Sequence, residues 1–273
     1  MGSVAATSTQ HTDVTSRRSG WWQILGIPLA YNAYELARAH VGNEAAGYHH
    51  ATQVVRAEKA LHLDFEPAVQ RFFSQHITTV QVLNVYYGIA HFIWPVAVLV
   101  VLWRRAPLAY NFWRNCLIAT TLLALIVFWL WPLMPPRLLP HSFGFVDTDA
   151  TYGGMGALNA GVKDGNLYAA MPSLHIGWAV WCAAAASSLL HRRSLKLAMW
   201  VYPAITMLTV IATGNHYFID GPAGIAADAA GALVGGAVTG WLNKARIRRA
   251  LSSELQVLAD RGRAKAQPVD VGG

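Results

Sequence analysis

Charge is what this 273-residue chain has least of: Asp, Glu, Lys and Arg make up 13% of it, against about 25% in a soluble domain. The deficit is concentrated. Ile77–Trp103, Asn115–Trp131, Ile176–Leu190, Leu197–Thr213 and Ala229–Leu242 contain no charged side chain. Cysteine is scarce too. Cys116 and Cys182 both fall inside these apolar runs, where they read as small buried hydrophobes, and neither a disulfide framework nor a metal site is suggested. His49, His50, His62, His76 and His141 lack metal-ligand spacing. There is no Gly-rich nucleotide loop, no internal repeat and no sign of a second domain. No small-residue cleavage site follows the apolar stretch that starts at Trp21, so a removable signal peptide is not expected.

Apolar residues supply 54% of the chain and the mean hydropathy is +0.31. A helix needs roughly 20 largely apolar residues to cross a bilayer. The five uncharged runs meet that need once polar ends are allowed for, and Trp21–Ala37 is a shorter sixth. The expected architecture is therefore all-α: a multi-pass membrane bundle of about six transmembrane helices. It divides into a tail over 1–20, a membrane-embedded domain over 21–242 and a basic tail over 243–273, polar and mobile beyond a short helix. Within the first long loop, Ala60–Glu66 and Val69–Phe73 have the pattern of an interfacial amphipathic helix or pair of helices.

Basic residues sort the loops. Arg17 and Arg18, Arg104 and Arg105, His191 to Arg193 with Lys196, and Lys244 to Arg249 all fall on one side of a six-span chain. That side is expected to be the cytoplasm, with anionic lipid headgroups rather than nucleic acid as the partner of the +7 net charge. The loop over 132–172 and the short connection over 213–221 then face outward from a cytoplasmic membrane. Oligomeric state is not legible.

Three chemical elements share that outer edge. Met171-Pro172-Ser173-Leu174-His175 opens the fourth span, and Gly214-Asn215-His216-Tyr217-Phe218-Ile219-Asp220 opens the sixth. One helical turn would bring Asp220 onto the face of His216; if the helix begins only at Asp220, the contact has to be made across a turn. A carboxylate partner fixes an imidazole's tautomer and stabilises the cation formed when it attacks phosphorus. His175 is suited to general acid–base work. Ser173 and nearby backbone N–H groups could hold phosphate oxygens, although Pro172-Ser173 is also a plain helix-start signal. Pro135-Pro136-Arg137 supplies a guanidinium in a constrained segment. Together these are the parts of a metal-free phosphoryl transfer through histidine, with no cofactor required.

Other polar groups on the apolar helices have plainer readings. Asp228 is expected to make a structural hydrogen bond. Gly231 and Gly235, and Gly236 and Gly240, have the spacing of close helix contacts. Tyr87, His91 and Asn215 are candidates for a headgroup pocket, with a satisfied buried histidine as the plainer reading of His91.

The three elements resemble the signature of the type-2 phosphatidic acid phosphatase superfamily, and particularly its branch related to inositol phosphorylceramide synthases. The Pro-Ser-Leu-His string resembles the second motif in that branch's leucine form, His216 to Asp220 the third, and Pro-Pro-Arg137 the end of the first. The resemblance implies a six-helix membrane core, His216 as a nucleophile forming phosphohistidine, Asp220 as its orienting partner, His175 as acid and base, and Arg137 on phosphate. Two cations of the broader pattern are replaced by Leu130 and Val210, and Lys163 is the candidate substitute.

The leading expectation is a membrane lipid phosphatase acting on a lipid phosphate or prenyl diphosphate. The alternative is a phosphotransferase that moves a headgroup such as inositol phosphate onto a lipid hydroxyl. A proton-coupled transporter would spread polar groups through several helices at mid-depth; here they cluster at one edge.

Overall fold

A computed structural model describes residues 43–154 and 167–266, with side chains as far as residue 256. Trp21–Ala37, the expected first span, lies outside the described residues, as do the tail over 1–20, Lys163 and the last seven residues. The described chain is helical, and its sole ladder-like pairing is a parallel bridge between Leu133 and Ala169.

The first helix, α1 (Glu44–Ala60), starts at Asn43, whose side-chain oxygen accepts the Ala45 N–H at 2.9 Å, as an N-cap residue does. Its buried face is Gly47, Ala51, Val54 and Glu58. Ala51 and Val54 pack with Leu133, Met134 and Tyr217. A turn over 61–65 leads into α2 (Glu66–Ser74). The expected amphipathic segment at Ala60–Glu66 is thus mostly that turn, while Val69–Phe73 lies within α2. Neither helix is free-standing, since Glu58, Glu66 and Gln70 on them are buried.

Two long apolar helices follow, α3 (Ile77–Arg105, with Pro95 inside it) and α4 (Pro107–Leu130). A connection carrying two 3-10 turns and the short α5 (Thr148–Tyr152) precedes α6 (Leu174–Ser188). Then come α7 (Arg193–Met199), α8 (Val201–Ala212) and the 47-residue α9 (Asp220–Ala266). Among the described residues, four stretches are long and apolar enough to cross a membrane: Ile77–Arg105, Pro107–Leu130, Arg193–Ala212 and Asp220–Gln256. Their outward surfaces carry Ile93, Ile118, Leu122, Trp129, Leu208, Leu233 and Trp241, side chains suited to acyl chains.

At 15 residues, α6 is about 22 Å long, short of the ~30 Å hydrocarbon core. It packs against α3, α4, α8 and α9, with Trp181, Ala179 and Ala185 fully buried. Its apolar composition therefore reflects protein surroundings. Two glycines set how closely it meets α9. A Cβ on Gly177 would stand 3.0 Å from the Gly224 carbonyl, and one on Gly224 would overlap the Ser173 carbonyl oxygen.

Against α4, Gly231 meets Thr120, and a Cβ on Gly235 would stand 2.5 Å from the Cys116 nitrogen. This is the close contact that the spacing predicts. The second pair differs, because Gly240 faces open space. Asp228 accepts a hydrogen bond from the Thr120 hydroxyl at 3.3 Å, the structural role expected of it. Both cysteines are buried thiols. α9 runs without a break through residue 243 to Ala266, so the expected tail begins as a continuation of the last helix.

Successive long helices alternate in direction. The start of α3, the end of α4, the start of α6, the end of α8 and the start of α9 consequently share one end of the bundle, and this is where the three chemical elements meet.

Candidate active site

His216 lies in a seven-residue turn between α8 and α9, and α9 begins at Asp220. The contact between them is therefore made across that turn and not along a helix face. His216 Nδ1 lies 2.8 Å from the Ala170 carbonyl oxygen and 3.2 Å from Asp220 Oδ2. A carbonyl oxygen can only accept, so Nδ1 carries the proton and the Nε2 lone pair is left for chemistry. Nε2 makes no hydrogen bond among the described residues. Asp220 is fully buried; its Oδ2 also accepts the Tyr217 N–H at 3.0 Å, and its backbone carbonyl accepts the Ser173 N–H at 3.1 Å. That last bond joins the second and third sequence elements directly.

His175 occupies the first turn of α6, with its ring centroid 5.6 Å from that of His216. Tyr87 stacks on it at 4.1 Å with 19° between the planes, and His91 meets it at 4.3 Å. Tyr87 and His91 thus line the same corner as the two histidines. Asn215 does something different: its amide donates to the Thr213 hydroxyl at 2.8 Å, bracing the turn from within. Ser173 is fully buried, and its hydroxyl accepts the Ile176 N–H at 3.4 Å as the N-cap of α6. Helix capping is what its geometry supports.

Arg137 reaches the same turn through its backbone. Its N–H donates to the Gly214 carbonyl at 2.8 Å. Gly214 has a φ of +69°, and a Cβ there would collide with the Gln70 amide nitrogen, so the position suits glycine on both counts. The Arg137 Nη1 donates to Asp147 Oδ2 at 2.8 Å, while its Nε is buried without a hydrogen-bond partner. Asp147 in turn caps α5 by accepting the Ala150 N–H at 3.1 Å. The guanidinium is held in place with part of its donor fork uncommitted.

Two side chains that carry no motif complete the corner. Glu66 Oε1 accepts the Phe218 N–H at 2.9 Å and Glu58 Oε1 accepts the Ile219 N–H at 3.0 Å. With Asp220 on Tyr217, three carboxyl groups hold three successive amides. Burial, together with the neighbouring Glu66, pushes the Glu58 carboxyl up to about 8. The Tyr217 phenol donates to the Met134 carbonyl at 2.9 Å; burial and the nearby Asp220, Glu58 and Glu66 raise it well above the usual phenol range. A signal for Glu58 exists in its spacing, four residues after Val54 on the buried stripe of α1. Among the described residues, no group of three or more His, Cys, Asp or Glu side chains is placed to hold a metal ion.

Two imidazoles, a carboxylate and a guanidinium at one end of an apolar helical bundle can bind a phosphate group and exchange it through nitrogen. The sequence profile of the PAP2 superfamily matches residues 52–234, from within α1 to within α9. This chain belongs to the PAP2 superfamily. Searches of curated proteins and of solved structures returned no match. For this PAP2 protein, membership brings a phosphatase-type function, and the four apolar helices make it an integral membrane protein. Leu130 and Val210 are the two positions at which the resemblance leads one to expect cations. Leu130 is 66% exposed on the apolar surface, and Val210 is buried against Ile176 and Ile211.

Proposed function

We propose that this PAP2 protein is a lipid phosphatase that works through a phosphohistidine at His216, with its site open to the extracytoplasmic side of the cytoplasmic membrane. The observation that carries the reading is the Nδ1–H of His216, committed to the Ala170 carbonyl and Asp220. It leaves the Nε2 lone pair for chemistry, in a ring whose centroid is 5.6 Å from that of His175.

In the first step the Nε2 lone pair attacks phosphorus and the bond from phosphorus to the lipid oxygen breaks. The departing alkoxide takes a proton from the His175 imidazolium. Forming the P–N bond makes the His216 ring cationic, and Asp220 stabilises that charge at 3.2 Å. In the second step water gives a proton to the now neutral His175 and attacks phosphorus. The P–N bond breaks, and both histidines return to their starting state. Arg137 binds the non-bridging oxygens, with Lys163 as a further candidate cation.

A second reading follows from Leu130 and Val210, which stand where the broader pattern carries cations. A phosphodiester donor has less negative charge than a monoester and needs fewer cations. The same first step on such a donor, resolved by a lipid hydroxyl in place of water, is headgroup transfer of the inositol phosphorylceramide synthase type.

The test uses purified protein in detergent with chelator. Labelled phosphatidic acid, prenyl diphosphate and phosphatidylinositol are offered with and without a lipid alcohol. Free phosphate supports the phosphatase; a new headgroup lipid supports the transferase. Turnover that persists in His216→Ala removes the nucleophile from both. Sidedness is tested in intact cells with a membrane-impermeant maleimide. Cysteine at the exposed Ser142 should label and cysteine at the exposed Ser253 should not; the reverse pattern overturns the orientation.

A further inference from the structure

Glu58 and Glu66 come from different helices, α1 and α2, and are 2% and 1% exposed. Each is spent on one backbone amide of the turn that follows His216. Two buried carboxylates so close to each other and to Asp220 repel strongly unless a proton lies between them. They serve neighbouring amides of one turn through one oxygen each, Oε1 of Glu66 on Phe218 and Oε1 of Glu58 on Ile219, and each feels the other's charge. A single shared proton satisfies this geometry; none leaves adjacent charges facing, and two would weaken both amide bonds.

We propose that Glu58 and Glu66 form a carboxylic acid–carboxylate pair that clamps the Phe218 and Ile219 amides and so acts as a positioning device for His216. The proposal rests on the reading of His216 as nucleophile. The clamp has a physical rationale. His216 sits in the turn before α9, where the amides of Tyr217, Phe218 and Ile219 are held by side-chain carboxyls, and Nε2 must be held against a phosphorus atom to within a fraction of an ångström. Asp220 secures Tyr217 from inside the turn, and the two glutamates secure the next two residues from outside. They thereby join the α1–α2 hairpin to the catalytic corner.

The charged and titratable groups acting on Glu58 are Glu66 on α2 and Asp220 at the start of α9, with the Tyr217 phenol beside all three. The two carboxylates disfavour a further negative charge on Glu58, while the Ile219 amide favours it. Burial acts with the carboxylates, and the carboxyl is held protonated up to about pH 8. Below that value the clamp is intact; above it the proton leaves, Glu58 accepts the Ile219 N–H more strongly, and the repulsion between two facing carboxylates drives α1 and α2 apart at the turn. At one pH unit above, about a tenth of the molecules keep the proton.

The experiment compares wild type, Glu58→Gln, Glu58→Ala, Glu66→Ala and His216→Ala in detergent, with phosphatidic acid as probe. Glutamine mimics the acid form, with an oxygen for Ile219 and an N–H for Glu66. Glu58→Gln should keep kcat within about threefold at neutral pH and lose the roughly tenfold fall of wild type between about pH 7 and 9. Either alanine variant should lower kcat at least tenfold with KM within threefold. If the alanine variants do not fold, the glutamine profile still decides. Infrared spectroscopy supplies a readout without turnover: the protonated carboxyl stretch should be present in wild type, absent in Glu58→Gln, and lost as pH rises through about 8. An alkaline fall in Glu58→Gln equal to that of wild type, or an alanine variant with wild-type kcat, overturns the proposal. Turnover surviving in His216→Ala overturns the nucleophile reading and the catalytic half of this one; the infrared band then decides the pair alone.

Discussion

Replacing Asp220 by asparagine separates two things that the carboxylate does for His216: it accepts the Nδ1–H, and it supplies a negative charge beside the ring. The Ala170 carbonyl already accepts the same proton, and at 2.8 Å it is the closer of the two acceptors. The tautomer should therefore survive the substitution. What is lost is the charge that meets the cationic ring once the P–N bond forms. At 3.2 Å and an effective dielectric constant of about 20, that attraction is on the order of 5 kcal/mol. The amide oxygen of asparagine can still accept one of the two N–H groups now on Oδ2, which returns part of it. A net loss of about 3–4 kcal/mol corresponds to a fall of roughly 10² to 10³ in kcat. KM should change little, since the charge matters after attack has begun. The assay is single-turnover release of labelled phosphate from phosphatidic acid, with the protein quenched in alkali, where a phosphoramidate survives, and scored for label. Slower labelling at the same site is the expected result. Turnover within threefold of wild type would refute the reasoning about charge, and label on another residue would refute the assignment itself.

Other substitutions test how the corner is assembled. Gly224→Ala puts a methyl group into the Ser173 carbonyl and should cost about 1–3 kcal/mol of stability. It should also lower kcat by loosening the Ser173–Asp220 bond. Gly240→Ala, facing open space, is the control that should change neither, in thermal unfolding and turnover alike. Thr120→Val removes the donor to the buried Asp228 while keeping the side-chain volume; a loss of about 1–3 kcal/mol in unfolding with kcat unchanged is expected. Arg137→Lys keeps the charge but removes the planar fork, and should lower kcat/KM about 10- to 100-fold, chiefly through KM.

Much of the candidate site is legible because its residues stand at the boundaries of apolar runs. Charge is so sparse in this chain that each polar group there is conspicuous, and a four-residue spacing already suggests that His216 and Asp220 meet. The spacing leaves open how they meet. A helix and a tight turn both bring residues four apart together, and Gly214 and the position of Pro222 belong to either account. Glu58 and Glu66 are harder to see, because a carboxylate among Arg56, Lys59 and Asp64 looks like any solvated charge. The spacing of Glu58 from Val54 hints at its face, and packing reveals that both point inward. Ser173 shows the opposite case, a residue whose local helix-start signal describes its observed role well.

Composition by itself determined that this is a helical protein built for a membrane, since runs of uncharged residues of that length leave few other places for so much apolar surface. It also determined which side chains were available for chemistry. Length and apolarity did not tell lipid from protein as the surroundings of a helix. That was decided by tertiary structure, which encloses α6 among its neighbouring helices and leaves the longer helices their apolar outer faces. Tertiary structure also decided the tautomer of His216, because the Ala170 carbonyl that fixes it comes from 46 residues away and no local pattern refers to it.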